Sequence, residues 1–279
     1  MTMKLLRAPR RALAALATAL TALGIVFLAN SASAQGTTTP KPTVVLVHGA
    51  FADASGWEGV ITRLRHDGYP VIAPATPLRG LSSDAAYIAS VVKSVTGPVI
   101  LVGHSYGGAV ITNAARGLDN VKALVYAEAF IPDQGEATAV AANPAKYPNS
   151  QLGPDTLLQR AYPNPSAPGG VDQDLYINPQ FFRRVFAADV SAAQAEAMAL
   201  SQRPLAQAAF LEPSGAPAWK TIPSWALIAT EDHAIDPDGA RYMAKRAGAH
   251  ITEVRASHVI MVTHPDAVVR VIIDADKHS

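Results

Sequence analysis

Hydrophobic and polar positions along this chain alternate between short apolar runs of strand length and amphipathic stretches of helix length. Residues 43–47 read as a strand followed by a helix at 57–66, and residues 70–73 as a strand followed by a helix at 84–95. A third strand at 99–102 leads into a helix after Ser105, and a fourth strand spans 121–126. After an interruption the rhythm resumes with a strand at 224–229, a helix at 238–247, a strand at 250–254 and a last helix at 265–275. Strands that are apolar throughout are buried on both faces, and strands separated by helices run parallel. The pattern therefore predicts an α/β fold with a mostly parallel, doubly wound sheet. Between about 132 and 217 prolines, asparagines and glycines cluster, and two helix-like segments stand out at 180–187 and 191–202. This stretch is expected to be a helical cap inserted over the C-terminal edge of the sheet, within one domain spanning 43–279.

Composition narrows the function classes. With 49% hydrophobic residues, 16% charged residues and a net charge of +1, the 279-residue chain can build a large core. It has no surplus charge to recruit nucleic acid. The first 34 residues stand apart: Lys4, Arg7, Arg10 and Arg11 precede an apolar stretch at 12–29, and Ser31-Ala32-Ser33-Ala34 follows. That order of charged, apolar and small residues predicts a signal peptide, cleaved after Ala34, and hence an exported protein, periplasmic or secreted. A retained anchor helix is the alternative, and the small-residue site favours cleavage, after which no stable membrane association is expected. Residues 35–42 read as a disordered leader. The chain has no cysteine, so no disulfide can brace the exported domain and its core must hold it.

The chemistry concentrates at Gly103-His104-Ser105-Tyr106-Gly107-Gly108, which joins a strand to a helix through a turn with a serine at its apex. A serine hydroxyl held out at such a turn, between residues small enough for the backbone to pass, is a nucleophile in waiting. It needs a base, an orienting acid and donors for an oxyanion. His258 follows the strand at 250–254, which puts it on the same sheet edge as Ser105, whereas nearby His264 precedes Pro265 at a helix start. Asp232 follows the strand at 224–229; Asp236 and Asp238 look like a turn and helix cap, and Glu128, after the fourth strand, is the rival acid. The order Ser105, Asp232, His258 is that of a triad on a parallel sheet. Oxyanion donors are expected from the N–H of Tyr106 and from the turn His48-Gly49-Ala50-Phe51, with Ala50 preferred and Phe51 the alternative. His48 and His104 are expected to make local hydrogen bonds. No metal is expected, because there is no cysteine and no histidine pair at helical ligand spacing.

Together, His48-Gly49-Ala50-Phe51, Gly103-His104-Ser105-Tyr106-Gly107-Gly108, Thr230-Glu231-Asp232 and Ser257-His258 resemble the landmarks of the α/β-hydrolase superfamily. Within that superfamily the chain is similar to the small esterase branch that includes plant methyl esterases, hydroxynitrile lyases and pyrethroid-hydrolase-type carboxylesterases. The resemblance implies a Ser-His-Asp hydrolase without cofactor: Ser105 as nucleophile, His258 as base, Asp232 as acid. It departs from the lyases, which need a lysine near the site, since only Lys245, within a helix, lies between Asp232 and His258.

The cap offers Tyr162, Tyr176, Phe181, Phe182, Phe186 and Trp219, either as apolar lining for a substrate or as the cap's own core. The expected substrate is a small to medium apolar ester. Two other readings use the same residues: a cofactor-free lyase or perhydrolase, and a ligand-binding protein on a hydrolase scaffold. An unimpaired triad argues against the last.

Overall fold

The computed structural model describes residues 40–143 and 145–279. The expected signal peptide at 1–34 and the leader up to residue 39 lie outside the described residues. Among the described residues, nine strands run in chain order: β1 (Thr43–Val47), β2 (Val71–Ile72), β3 (Val99–Ser105), β4 (Val121–Ala129), β5 (Leu157–Pro163), β6 (Val171–Ile177), β7 (Leu205–Ala206), β8 (Ser224–Ala229) and β9 (His250–Val254). The helices are α1 (Glu58–His66), α2 (Leu81–Lys93), α3 (Tyr106–Ala114), α4 (Thr138–Ala141), α5 (Pro179–Phe186), α6 (Ala192–Ser201), α7 (Gln207–Leu211), α8 (Pro237–Arg246), α9 (Ile260–Thr263) and α10 (Pro265–His278).

Six strands form one sheet in the order β2-β1-β3-β4-β8-β9, and every neighbouring pair is parallel. The reason the strands read as unbroken apolar runs is visible in β1 and β3. Val44, Leu46, Ile100 and Val102 point into the layer packed by α1 and α10, while Val45, Val47 and Leu101 point into the layer packed by α2, α3 and α8. With both faces covered, neither parity can be polar. The strands extend beyond the apolar runs that announce them: β3 continues through His104 to Ser105, and β4 through Glu128 to Ala129. His104, Ser105 and Glu128 in these extensions are polar yet buried, which is why hydrophobicity alone stops short.

Between β4 and β8 the chain leaves the sheet and builds a second layer from α4 to α7 and a three-stranded antiparallel sheet, β5-β6-β7. Helices α5 and α6 correspond to the segments expected at 180–187 and 191–202. The small sheet was not expected from the sequence. Its main strands, Leu-Leu-Gln-Arg-Ala-Tyr-Pro and Val-Asp-Gln-Asp-Leu-Tyr-Ile, are half-exposed and mix polar with apolar residues, so they show neither a continuous run nor a clean alternation. Arg79, before α2, ties this layer to the main domain through Asp174 (2.7 Å) and the carbonyl of Pro204 (3.1 Å).

Candidate active site

Strand β3 ends at Ser105, whose backbone adopts φ 54° and ψ −126° before α3 begins at Tyr106. A positive φ is strained for a residue with a Cβ, and at a strand-to-helix turn it lifts the hydroxyl out of regular structure. The turn closes only because its neighbours lack side chains. A Cβ on Gly103 would fall 2.5 Å from the Gly107 carbonyl oxygen, and one on Gly107 would fall 2.4 Å from that of Val47.

The turn after β1 packs directly on this elbow: a Cβ on Gly49 would stand 2.6 Å from Ser105 Cβ. His48 braces that turn. Its Nε2 accepts the Thr76 N–H (2.9 Å), which places the ring proton on Nδ1, where it is donated to the Gly49 carbonyl (2.9 Å). Burial holds this imidazole below its ordinary pKa, in the neutral form the two bonds require. The Phe51 N–H donates to the carbonyl of Arg203 in the cap (2.9 Å) and is thereby committed. Phe51 N–H, the alternative oxyanion donor expected from the sequence, is thus engaged by the cap, while Ala50 lies in the turn after β1 and Tyr106 at the N-terminus of α3.

Asp232 and His258 occupy the loops after β8 and β9 and are each 1% exposed. His258 Nδ1–H donates to Asp232 Oδ2 at 2.6 Å, and the second oxygen, Oδ1, accepts the Ala234 N–H at 2.6 Å. His258 Nε2 is buried without a hydrogen-bond partner among the described residues, so it is a free basic nitrogen, and Ser105 Oγ is not bonded to it in this state. His104, next to the serine, is fully buried; its Nε2–H donates to the His258 carbonyl (3.0 Å), and the two rings lie 4.7 Å apart. Burial, then the adjacent His258, holds His104 well below the ordinary histidine value and keeps it neutral.

Of the rivals, His264 and the aspartates of the α8 cap fall elsewhere. His264 bonds its neighbour Thr263 at the start of α10, and Asp236 caps α8 by accepting the Asp238 N–H. Glu128 lies beside the pair: one carboxyl oxygen each from Glu128 and Asp232 and a ring nitrogen of His258 fall within 4.8 Å of one another. Geometrically this is the cluster that could hold a metal. Two ligands of one tetrahedral ion, with bonds of about 2.0–2.1 Å, stand roughly 3.3 Å apart. The 2.6 Å between His258 and Asp232 is instead a hydrogen bond.

Residues of the cap surround the site, some of them, such as Asp189, without a local sequence signal. Phe186 of α5 covers it, its ring 4.7 Å from that of His258 and 6.1 Å from that of Phe51. Phe182, Phe186 and Trp219 are buried, Phe181 and Tyr162 pack partly against the core, and half-buried Tyr162 and Tyr176 lie under Arg79 and Arg160, so the cap aromatics are all buried or half-buried. Asp189, after α5, accepts the Ser257 N–H (3.0 Å), the Ser257 hydroxyl and the Thr263 hydroxyl (3.0 Å), clasping the cap to the His258 loop. Partial burial raises its carboxyl, but these donors outweigh that and hold it below the usual range. Asp84 receives the Tyr106 hydroxyl at 2.9 Å. A cleft of about 530 Å³ between α1 and α6 reaches Phe51 and Val259, neighbours of the oxyanion turn and of His258.

The model of the alpha/beta hydrolase family matches residues 44–271. The carbendazim hydrolyzing esterase of Nocardioides sp. (strain SG-4G) is 36% identical over 106 residues, which is 33% of this chain and 44% of that protein; the match thus spans under half of that relative's length. The alpha/beta hydrolase nvfD of Aspergillus novofumigatus is 25% identical over 248 residues, covering 84% of this chain and 96% of that one. Among solved structures, polyneuridine aldehyde esterase superposes with a TM-score of 0.70 at 19% identity, over 84% of this chain and 98% of that one. A pyrethroid hydrolase from Sphingobium faniae JZ-2 gives 0.69 at 21% identity, over 85% and 98%. These structures share the fold, and on the family match over most of its length the chain belongs to the alpha/beta hydrolase family.

Proposed function

We propose that the protein is a serine carboxylic ester hydrolase that works through an acyl-enzyme on small to medium apolar esters. The observation that carries this reading is the buried His258–Asp232 hydrogen bond, which puts the proton on Nδ1 and leaves Nε2 basic at the sheet edge where the Ser105 elbow stands. Ser105 Oγ attacks the ester carbonyl carbon as its proton passes to His258 Nε2. The oxygen that gains charge is received by the N–H groups of Ala50 and Tyr106, the latter with the favourable dipole of α3 behind it. Collapse expels the alcohol, which takes the proton from Nε2; water then repeats the sequence on the acyl-serine and releases the acid. The closeness of Phe186 to His258 supports a modest acyl group, and the esterase names among the relatives support the ester bond as the target. The order of residues 1–34 supports export.

The test is hydrolysis of p-nitrophenyl esters from acetate to long chains by the purified protein. Ser105→Ala should abolish turnover with unchanged thermal unfolding, and Asp232→Asn should lower kcat by about 10⁴, the loss seen when a triad imidazole is misoriented. Full turnover in Ser105→Ala would refute the proposal.

A further inference from the structure

Glu128 is a buried acid that ester hydrolysis as described does not use. It is 1% exposed and sits in a bulge of β4: His104 pairs with Ala127 and Ser105 with Ala129, so Glu128 is the extra residue, and it takes φ 44°. Bulges re-aim a side chain, and a left-handed backbone at a residue with a Cβ is strained. The re-aimed carboxyl reaches past the last β4–β8 pair, Ala127 with Leu227, where Oε2 accepts the Ala229 N–H. Oε1 is buried without a hydrogen-bond partner among the described residues.

The charged and titratable groups facing Glu128 are Asp232 on the β8 loop, His258 on the β9 loop and Arg241 of α8, whose guanidinium is already paired with Glu253 and Asp238. Two carboxylates this close in a dry site do not both ionise. Asp232 already receives Ala234 N–H and His258 Nδ1–H, donors that stabilise its charge, so the shared proton belongs on Glu128. Burial, and then the Asp232 charge, pushes the Glu128 carboxyl well above the usual carboxylate range.

We propose that Glu128 is a positioning residue: a neutral carboxylic acid whose Oε1–H donates to the Asp232 carboxylate and, through it, sets the orientation and basicity of His258. The inference rests on the ester-hydrolase reading for the identity of the base. Glutamine at 128 keeps a donor and the neutral charge; alanine removes both the donor and the bond to Ala229. Without the donor, Asp232 is a stronger partner for imidazolium, so the acid limb of kcat/KM moves to higher pH.

The experiment compares Glu128→Gln and Glu128→Ala with the unaltered protein, measuring p-nitrophenyl acetate turnover from pH 5 to 9 and urea unfolding over the same range. The expected result is a fall in kcat of roughly tenfold in Glu128→Ala with little change in KM, most of it restored in Glu128→Gln. The acid limb should rise in alanine and stay in place in glutamine. A glutamine variant whose acid limb drops by about one pH unit or more, the effect of removing a charge at about 4–6 Å, would mean that Glu128 is ionised and overturn the proposal. So would wild-type kinetics in both variants. Unfolding decides even if no ester is turned over, an outcome that would sink the ester reading alone. A folded state that keeps Glu128 protonated loses stability as pH climbs above the unfolded value of about 4.3, because the unfolded chain then binds fewer protons. The stability advantage of Glu128→Gln over the unaltered protein should therefore grow with pH, and a flat difference overturns the inference. If the alanine variant does not fold, the glutamine arm carries the test.

Discussion

Gly107→Ala probes whether the close approach of the elbow to β1 makes the site. The added Cβ would stand 2.4 Å from the Val47 carbonyl oxygen and 2.9 Å from that of His48, where ordinary contacts begin at 3.4 Å. Both obstacles are backbone atoms of the strand and turn that carry the Ala50 N–H, so no side chain can swing aside. Relief requires α3 and the end of β1 to part by about 1 Å, which separates the two oxyanion donors from each other; a misplacement of that size costs about 10²-fold in rate. Alanine favours a helix over glycine by about 1 kcal/mol, while overpacking typically costs about 1–3 kcal/mol, so the net loss of stability is roughly 0–2 kcal/mol. The variant should therefore fold and yet be about a hundred times slower. Steady-state kcat/KM with p-nitrophenyl acetate, read beside the urea midpoint, separates the two effects. Unchanged kinetics in a folded variant would show that the donors do not depend on this contact.

Two other outcomes follow from contacts around the histidines. Asp189→Ala releases Ser257 and Thr263 and should lower kcat by roughly tenfold, with Asp189→Asn intermediate; unchanged kinetics would show that the clasp does not hold His258. His48 and His104 are held neutral, below their ordinary values, so as pH falls below about 6.5 the unfolded chain binds protons that the native state refuses. Stability should then drop with acidification by up to about 1.4 kcal/mol per pH unit for each histidine, and His104→Gln should flatten the slope of urea midpoints between pH 5 and 7. An unaltered slope would refute the assignment.

The core of the fold was legible because a doubly covered parallel sheet demands apolar residues at both parities of its inner strands, and β1 and β8 begin and end where the apolar runs do, while the edge strand β9, His-Ile-Thr-Glu-Val, is half polar and partly exposed. The elbow was legible for the opposite reason: a serine among glycines breaks the run at a point where only function explains the break. The structure brings His258 and Asp232 together from loops that the chain order already placed on the serine's edge. What stayed hidden depends on contacts distant in sequence. The engagement of Phe51 N–H is decided by Arg203, some 150 positions later, and Asp189 shows no local pattern that distinguishes a clasp from a solvated acid. Glu128 could be read as a candidate acid but not as a neutral one, because its protonation follows from a bulge and from the crowding of Asp232.

The bond from the Phe51 N–H to the Arg203 carbonyl is made entirely by main-chain atoms. Such a bond needs an N–H at position 51, which excludes proline there, and only a carbonyl at position 203, which any residue supplies. The cap can therefore exchange the residues that face a substrate while keeping its hold on the turn that carries the proposed oxyanion donor. Divergence toward a new ester and preservation of the chemistry are in this way assigned to different atoms of the same residues, and a lineage can explore the first without gambling the second.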